Sequence, residues 1–139
     1  MGEAQSTVQH FYDAFNSGEL DSARDVVADD FENTDPTGTL RGWDAFREYI
    51  SVFKSAMPDA TLNPKRFVES GNTVVTEGTF TGTFTNPMPS PQGEVPPTGK
   101  PFELPFMEIN DVENGRVKSH RVYYDQMAFM AALGLGQQQ

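Results

Sequence analysis

The feature that most constrains the fold is a change of hydrophobic period at about residue 60. Before it, apolar residues recur at helical spacing. Val8, Phe11, Tyr12 and Phe15 fall at i, i+3, i+4 and i+7, and Phe46, Tyr49, Ile50 and Phe53 repeat the pattern, so each set forms one stripe along a helix. Beyond it, "TVVTEGTFTGTF" puts Val74, Thr76, Gly78, Phe80, Gly82 and Phe84 on one side of an extended chain and mostly threonines on the other. That alternation belongs to a half-buried strand. A chain that is helical first and extended afterwards lays its helices on one face of a sheet, an α+β arrangement.

Stop signals and caps divide the chain further. Helices are expected over about 5–17, ending at "NSG", then from Asp21 and Ser22 through Val26 and Val27, then around Phe46 to Phe53, closed by Pro58. "FENTDPTG" reads as a short strand running into a turn. Strands near 62–70, 73–85, 101–112 and 116–124 are joined by "SGN", a long loop and "ENG", turn signals suited to antiparallel neighbours. Segment 86–101 holds six of the ten prolines and is an irregular connection, a stiff surface loop or a lid. The terminal "GQQQ" is expected to fray. One domain over 1–139 is large enough to enclose a small pocket.

Composition removes several chemistries. The 20 Asp and Glu outnumber the 10 Lys and Arg, so neither nucleic acid nor an anionic membrane is an expected partner. There is no cysteine for a disulfide or a thiolate, and no signal-like or spanning apolar run, which points to the cytoplasm. The only histidines, His10 and His120, are far apart in the chain and give no metal-site spacing, and no nucleotide or nucleophile motif is present. No metal and no cofactor is expected. What remains is carboxylates among eleven Phe, four Tyr and one Trp, a composition suited to an aromatic core or to a pocket for an apolar ring-shaped ligand.

Asp125 in "SHRVYYDQMAFMAALGL" joins a strand to a helix. It is either an N-cap or an acid/base group. Removing a proton beside a carbonyl needs a base strengthened by burial, and Tyr123, Tyr124, Phe129 and Met130 are available as walls. In a regular strand Arg121, Tyr123 and Asp125 share one face and His120 and Tyr124 the other, so His120 assists Asp125 only if a bulge intervenes. Tyr12, Phe15, Trp43, Phe46, Phe80 and Met107 are either cavity walls or core, and Trp43, at the start of a helix, is placed to cover a cavity mouth. Asp35 in "TDPTG" reads first as a turn residue.

"VQHFYDAFNSGELDSARDVVADDFENTDPTG" and "LRGWDAFREYI" resemble the opening of the superfamily that includes nuclear transport factor 2, ketosteroid isomerase and scytalone dehydratase. "EGTFTGTF", "PPTGKPFEL" and "NGRVKSHRVYYDQMAFMAALGL" resemble, more narrowly, the SnoaL-like polyketide cyclases, and the resemblance spans about 5–135. It implies three N-terminal helices packed on a strongly curved antiparallel or mixed sheet, a cone with an internal pocket, and a homodimer. It also implies that Asp125 is acid and base for an intramolecular aldol closure, and the isomerase comparison gives Asp35 the position of a base. The chain departs from the pattern where relatives carry histidine, at Phe80 in "GTFTG" and Thr34 in "NTDP". Phe11 rather than Tyr12 aligns with the isomerase's oxyanion tyrosine, and the strand near Met107 offers no evident protonated acid. The expectation is a cofactor-independent protein that binds a hydrophobic, carbonyl-bearing small molecule and cyclises a polyketide ester. The alternatives are a non-catalytic binding or dimerisation module, or an isomerase or epoxide hydrolase.

Overall fold

The first apolar stripe forms α1 (Glu3–Ser17), which buries Val8, Phe11, Tyr12 and Phe15 and stops where Gly18 turns left-handed at φ 81°, a conformation that costs glycine little. In the computed structural model, which describes residues 2–91 and 93–135, a 3-10 segment (Leu20–Val26) follows instead of the short α-helix expected. Two turns give too few α-helical bonds to offset the cost of nucleation, and the tighter helix suits so short a connector. The chain extends at once into β1 (Val27–Asp35), so the strand begins before Phe31. Pro36 and Thr37 then turn it back as β2 (Gly38–Arg41), a strand that had read only as turn.

The second stripe forms α2 (Trp43–Ala56). The period-two half gives β3 (Thr61–Ser70), β4 (Thr73–Thr83), β5 (Pro101–Glu113) and β6 (Arg116–Tyr124), close to the expected limits, and α3 (Gln126–Ala132) ends the described chain. The six strands make one sheet in the order β2-β1-β6-β5-β4-β3. Only the β1–β6 pair is parallel, so the sheet is mixed. It is open rather than strongly curled, because β2 and β3 remain separate edges. Helices, not a rolled sheet, complete the enclosure.

The alternation read in β4 is observed except at 79–80: Val74, Thr76, Gly78, Gly82 and Phe84 are buried, but so is Thr79, while Phe80 is half-buried. Gly78 is needed for close approach, since a Cβ there would lie 2.4 Å from the Asn63 carbonyl oxygen, next to the β3–β4 register shift between Pro64 and Arg66. The proline-rich loop is tied down by a bridge in which Met88 N–H reaches Val95 O at 3.0 Å and Val95 N–H reaches Met88 O at 2.7 Å. Both side chains are buried with Phe84, Leu104, Phe129 and Leu133. The expected frayed tail, 136–139, lies outside the described residues. Among those described, no helix is long and apolar enough to cross a membrane.

Candidate active site

The inner face of the sheet carries a polar row inside an otherwise apolar layer. Asn33 on β1 pairs with His120 on β6, His120 with Asn110 on β5, and Asn110 with Val74 on β4. All four are buried. In the next row Val122 pairs with Glu108, and Glu108 with Thr76. Opposite these rows lie Phe15 of α1, Phe46, Tyr49, Ile50 and Phe53 of α2, and Phe129 of α3. Between them is a cavity of about 110 Å³. That is room for several waters or a compact organic group. Leu62, Phe80, Leu104, Phe106 and Val122 make its sheet wall apolar, and its polar groups are Asn33, Asp35, Tyr49, Glu108, His120 and Tyr124.

The polar groups are ordered by hydrogen bonds. Tyr12 donates its hydroxyl proton to Glu108 Oε1 at 2.5 Å, and Asn110 Nδ2 lies 3.5 Å from the same oxygen. With its amide nitrogen turned to the carboxylate, Asn110 presents Oδ1 to His120 Nδ1 at 2.7 Å. A carbonyl oxygen can only accept, so Nδ1 carries the proton and Nε2 keeps its lone pair. Nε2 lies 3.7 Å from Glu108 Oε2. Burial pushes the His120 pKa down and keeps the ring neutral, while the charges of Glu108 and Asp35 oppose that shift. The ring is wedged between Phe11, Phe31 and Phe46, with centroids 5.0, 6.3 and 5.7 Å away. Burial, and then the Glu108 charge, push the Tyr12 hydroxyl far above its usual pKa, so it stays a donor.

Asp35 is both a turn residue and a cavity residue. Its Oδ1 accepts from Thr37 N–H at 2.8 Å and from the Thr37 hydroxyl at 2.6 Å, which holds the β1–β2 turn. Its Oδ2 accepts from the Tyr49 hydroxyl at 2.7 Å. Burial, followed by this bond, raises the Tyr49 pKa. Burial and the Asp35 charge raise that of Tyr124 to about 12.

Of the residues singled out from the sequence, Asp35, His120, Phe15, Phe46, Phe80, Tyr124 and Phe129 line this cavity. Asp125 does not. It is exposed, at the N-cap of α3, with Oδ1 accepting from Ala128 N–H at 3.1 Å. Of the two readings open for Asp125, the N-cap is the one observed: β6 ends at Tyr124, and the first turn of α3 engages the carboxylate. No bulge separates His120 from Tyr124, since β6 pairs with β5 without interruption from Ser119 to Tyr124. Strand parity therefore holds, but the face carrying His120 is the inner one. Tyr123 and Met107 pair with each other on the outer face, 53% and 45% exposed, and are not cavity walls. Tyr12 is core, reaching the site only through Glu108. Trp43 packs on Phe46 and lines a smaller hollow between α1 and α2, not the cavity mouth.

Sequence reasoning did not assign Glu108, Asn110, Asn33 or Tyr49 to the site. In "PFMEINDV" both alternating sets contain apolar residues, so the inward face was ambiguous. Tyr49 was visible only as a member of the α2 stripe. Among the described residues, no group of three or more His, Cys, Asp or Glu is placed to hold a metal ion.

Helices packed on a six-stranded mixed sheet, with an apolar cavity between them that holds a neutral imidazole and two carboxylates, define an α+β protein of the nuclear transport factor 2-like type. More narrowly, the chain belongs to the SnoaL-like polyketide cyclase family, whose model matches residues 6–133. IdmH of Streptomyces antibioticus, a provisionally assigned polyketide cyclase, is 29% identical, with a TM-score of 0.81 over 96% of this chain and 100% of its own. A nuclear transport factor 2-like protein of unknown function from Burkholderia pseudomallei is 25% identical, with a TM-score of 0.79 over 96% of this chain and 98% of its own. TerC, co-crystallised with polyporic acid, shares the fold at 19% identity, with a TM-score of 0.78 over 96% of this chain and 99% of its own. No curated protein matches the sequence significantly.

Proposed function

We propose that the protein binds a hydrophobic, carbonyl-bearing small molecule in this cavity and moves a proton on it without a cofactor, aldol-type closure of a polyketide ester being the specific form. The observation that carries the reading is a buried His120 whose protonated Nδ1 is committed to Asn110 and whose Nε2 is free to take a proton, within an apolar wall that also holds Asp35. Burial keeps the resting ring neutral, and the Glu108 and Asp35 charges stabilise the imidazolium once it forms. In the closure, Nε2 takes a proton from the carbon beside one carbonyl. That carbon bonds to a second carbonyl carbon, and the proton passes to the resulting alkoxide. One C–C bond forms, and no electron acceptor is needed.

The test is deuterium exchange at C2 of 1-tetralone in D2O, followed by NMR. Acceleration by the protein, reduced about 10²-fold or more in His120→Gln, is expected. An undiminished rate in that variant refutes the assignment. Phe80, a hydrocarbon ring in the cavity where relatives carry histidine, favours a second reading, a binding module without catalysis. Tight binding of the ketone with no exchange would select that one. The same reading includes a homodimer, supported by the apolar outer sheet face of Val68, Met107 and Tyr123. Sedimentation of the wild type and of Tyr123→Glu tests this, a monomer in both being contrary to it.

A further inference from the structure

The one carboxamide that lines the cavity has no partner. Asn33 is 2% exposed and lines the cavity, yet among the described residues nothing hydrogen-bonds to its carboxamide. Buried amides are nearly always satisfied, because leaving one bare forfeits its hydration. The exceptions that face a cavity are the places where a ligand or an ordered water completes the bonding.

The chemistry of the neighbours selects what completes it. Asp35 and Glu108 offer carboxylate oxygens, and His120 offers the Nε2 lone pair, so acceptors are plentiful. Donors are scarce: the Tyr49 hydroxyl is committed to Asp35 and the Tyr12 hydroxyl to Glu108. The uncommitted donors facing the cavity are the Asn33 amide and the Tyr124 hydroxyl. Tyr124 is only partly buried and four rungs from the register of Asn33, whereas Asn33 pairs directly with His120. Neighbouring strands lie about 4.8 Å apart, so an oxygen held by Asn33 leaves the adjacent carbon in front of the imidazole. An oxygen gaining negative charge between two carboxylates would be repelled unless a donor met it there.

We propose that Asn33 is the carbonyl-binding residue of the cavity, its Nδ2–H donating to the ligand oxygen whose neighbouring carbon faces His120. This rests on the functional reading above for the identity of the reacting carbon, but not for the binding of the oxygen. The site therefore discriminates a ketone or enol from the hydrocarbon of the same shape.

Binding of 1-tetralone and of tetralin, which differ only by the carbonyl, tests this by calorimetry. Isotope-edited infrared spectroscopy of carbonyl-13C tetralone follows the bond itself. Wild type should prefer the ketone roughly tenfold and lower its carbonyl stretch relative to the value in hexane. Asn33→Leu should bind tetralin as before and lose both the preference and the shift, while Tyr124→Phe keeps them. An intact preference in Asn33→Leu, its loss in Tyr124→Phe instead, or failure of both compounds to bind overturns the proposal. If Asn33→Leu does not fold, the wild-type stretch decides with Asn33→Ser, whose shorter hydroxyl should weaken the shift. An unshifted wild-type band is contrary to the proposal. Deuterium exchange separates the two ideas. A shifted band without exchange leaves Asn33 standing and removes catalysis, whereas exchange with no shift does the reverse.

Discussion

His120 makes stability depend on pH in a window where the carboxylates lowered by ion pairs and hydrogen bonds, Asp21, Asp30 and Asp59, do not act. Their contributions are lost only as pH falls through folded-state values below the ordinary carboxylate range. The His120 pKa is lowered in the folded protein by burial, with Glu108 and Asp35 as the opposing charges facing it. The unfolded chain, with a histidine near 6.5, therefore binds a proton that the folded chain refuses, and stability falls as pH drops below about 6.5. Above that value this group contributes no slope. One proton taken up by the unfolded chain alone sets the limit of this loss, at most about 1.2 kcal/mol between pH 6 and pH 5. Urea denaturation of wild type and His120→Gln at pH 5, 6, 7 and 8 checks it. The difference in stability between the two should shift against the wild type from pH 6 to pH 5, by no more than that limit, and stay nearly level from pH 7 to 8. Parallel profiles, or an imidazole NMR titration with its midpoint above 6.5, would refute the argument that burial dominates this ring.

Three further outcomes follow from the geometry. Tyr12→Phe removes the closest donor to a buried carboxylate, and a loss of about 2 kcal/mol is expected in urea denaturation at pH 7; a change under 0.5 kcal/mol or so would contradict the contact. Asp125→Ala removes a helix cap and should cost about 1 kcal/mol, whereas Asp125→Asn, which still caps, should leave both stability and tetralone exchange near wild type; a large loss of exchange in Asp125→Asn would return that residue to the chemistry. Phe129→Ala, which empties a site packed against Phe53, Phe80, Phe102 and Tyr124, should destabilise by about 3 kcal/mol and speed ligand dissociation in stopped-flow displacement.

The elements were legible where one periodicity stood alone. The α2 stripe of Phe46, Tyr49, Ile50 and Phe53 is a local pattern, and all four residues line the cavity. The strands from Thr61 onward were legible for the same reason, since alternation and glycine turns are properties of adjacent residues. β2 escaped notice because its four residues acquire strand geometry only by pairing back on β1. The site was less legible than the scaffold. Asn33, Asn110 and Glu108 each look like ordinary surface residues in their own segments. Only the registers Asn33 to His120 and His120 to Asn110 bring the two asparagines into one buried row, with Glu108 in the row beside it.

Sequence by itself determined the order of helices and strands, the family, and the parity that separates His120 from Tyr123. Tertiary structure decided which of those two faces looks inward. Parity is local, but orientation depends on which partners a strand finds, and β6 lies between β1 and β5, whose inward residues come from distant parts of the chain. That choice made His120 a cavity residue, put Tyr123 and Met107 outside, and left the Asp125 carboxylate at the start of a helix, where Oδ1 accepts from Ala128 N–H.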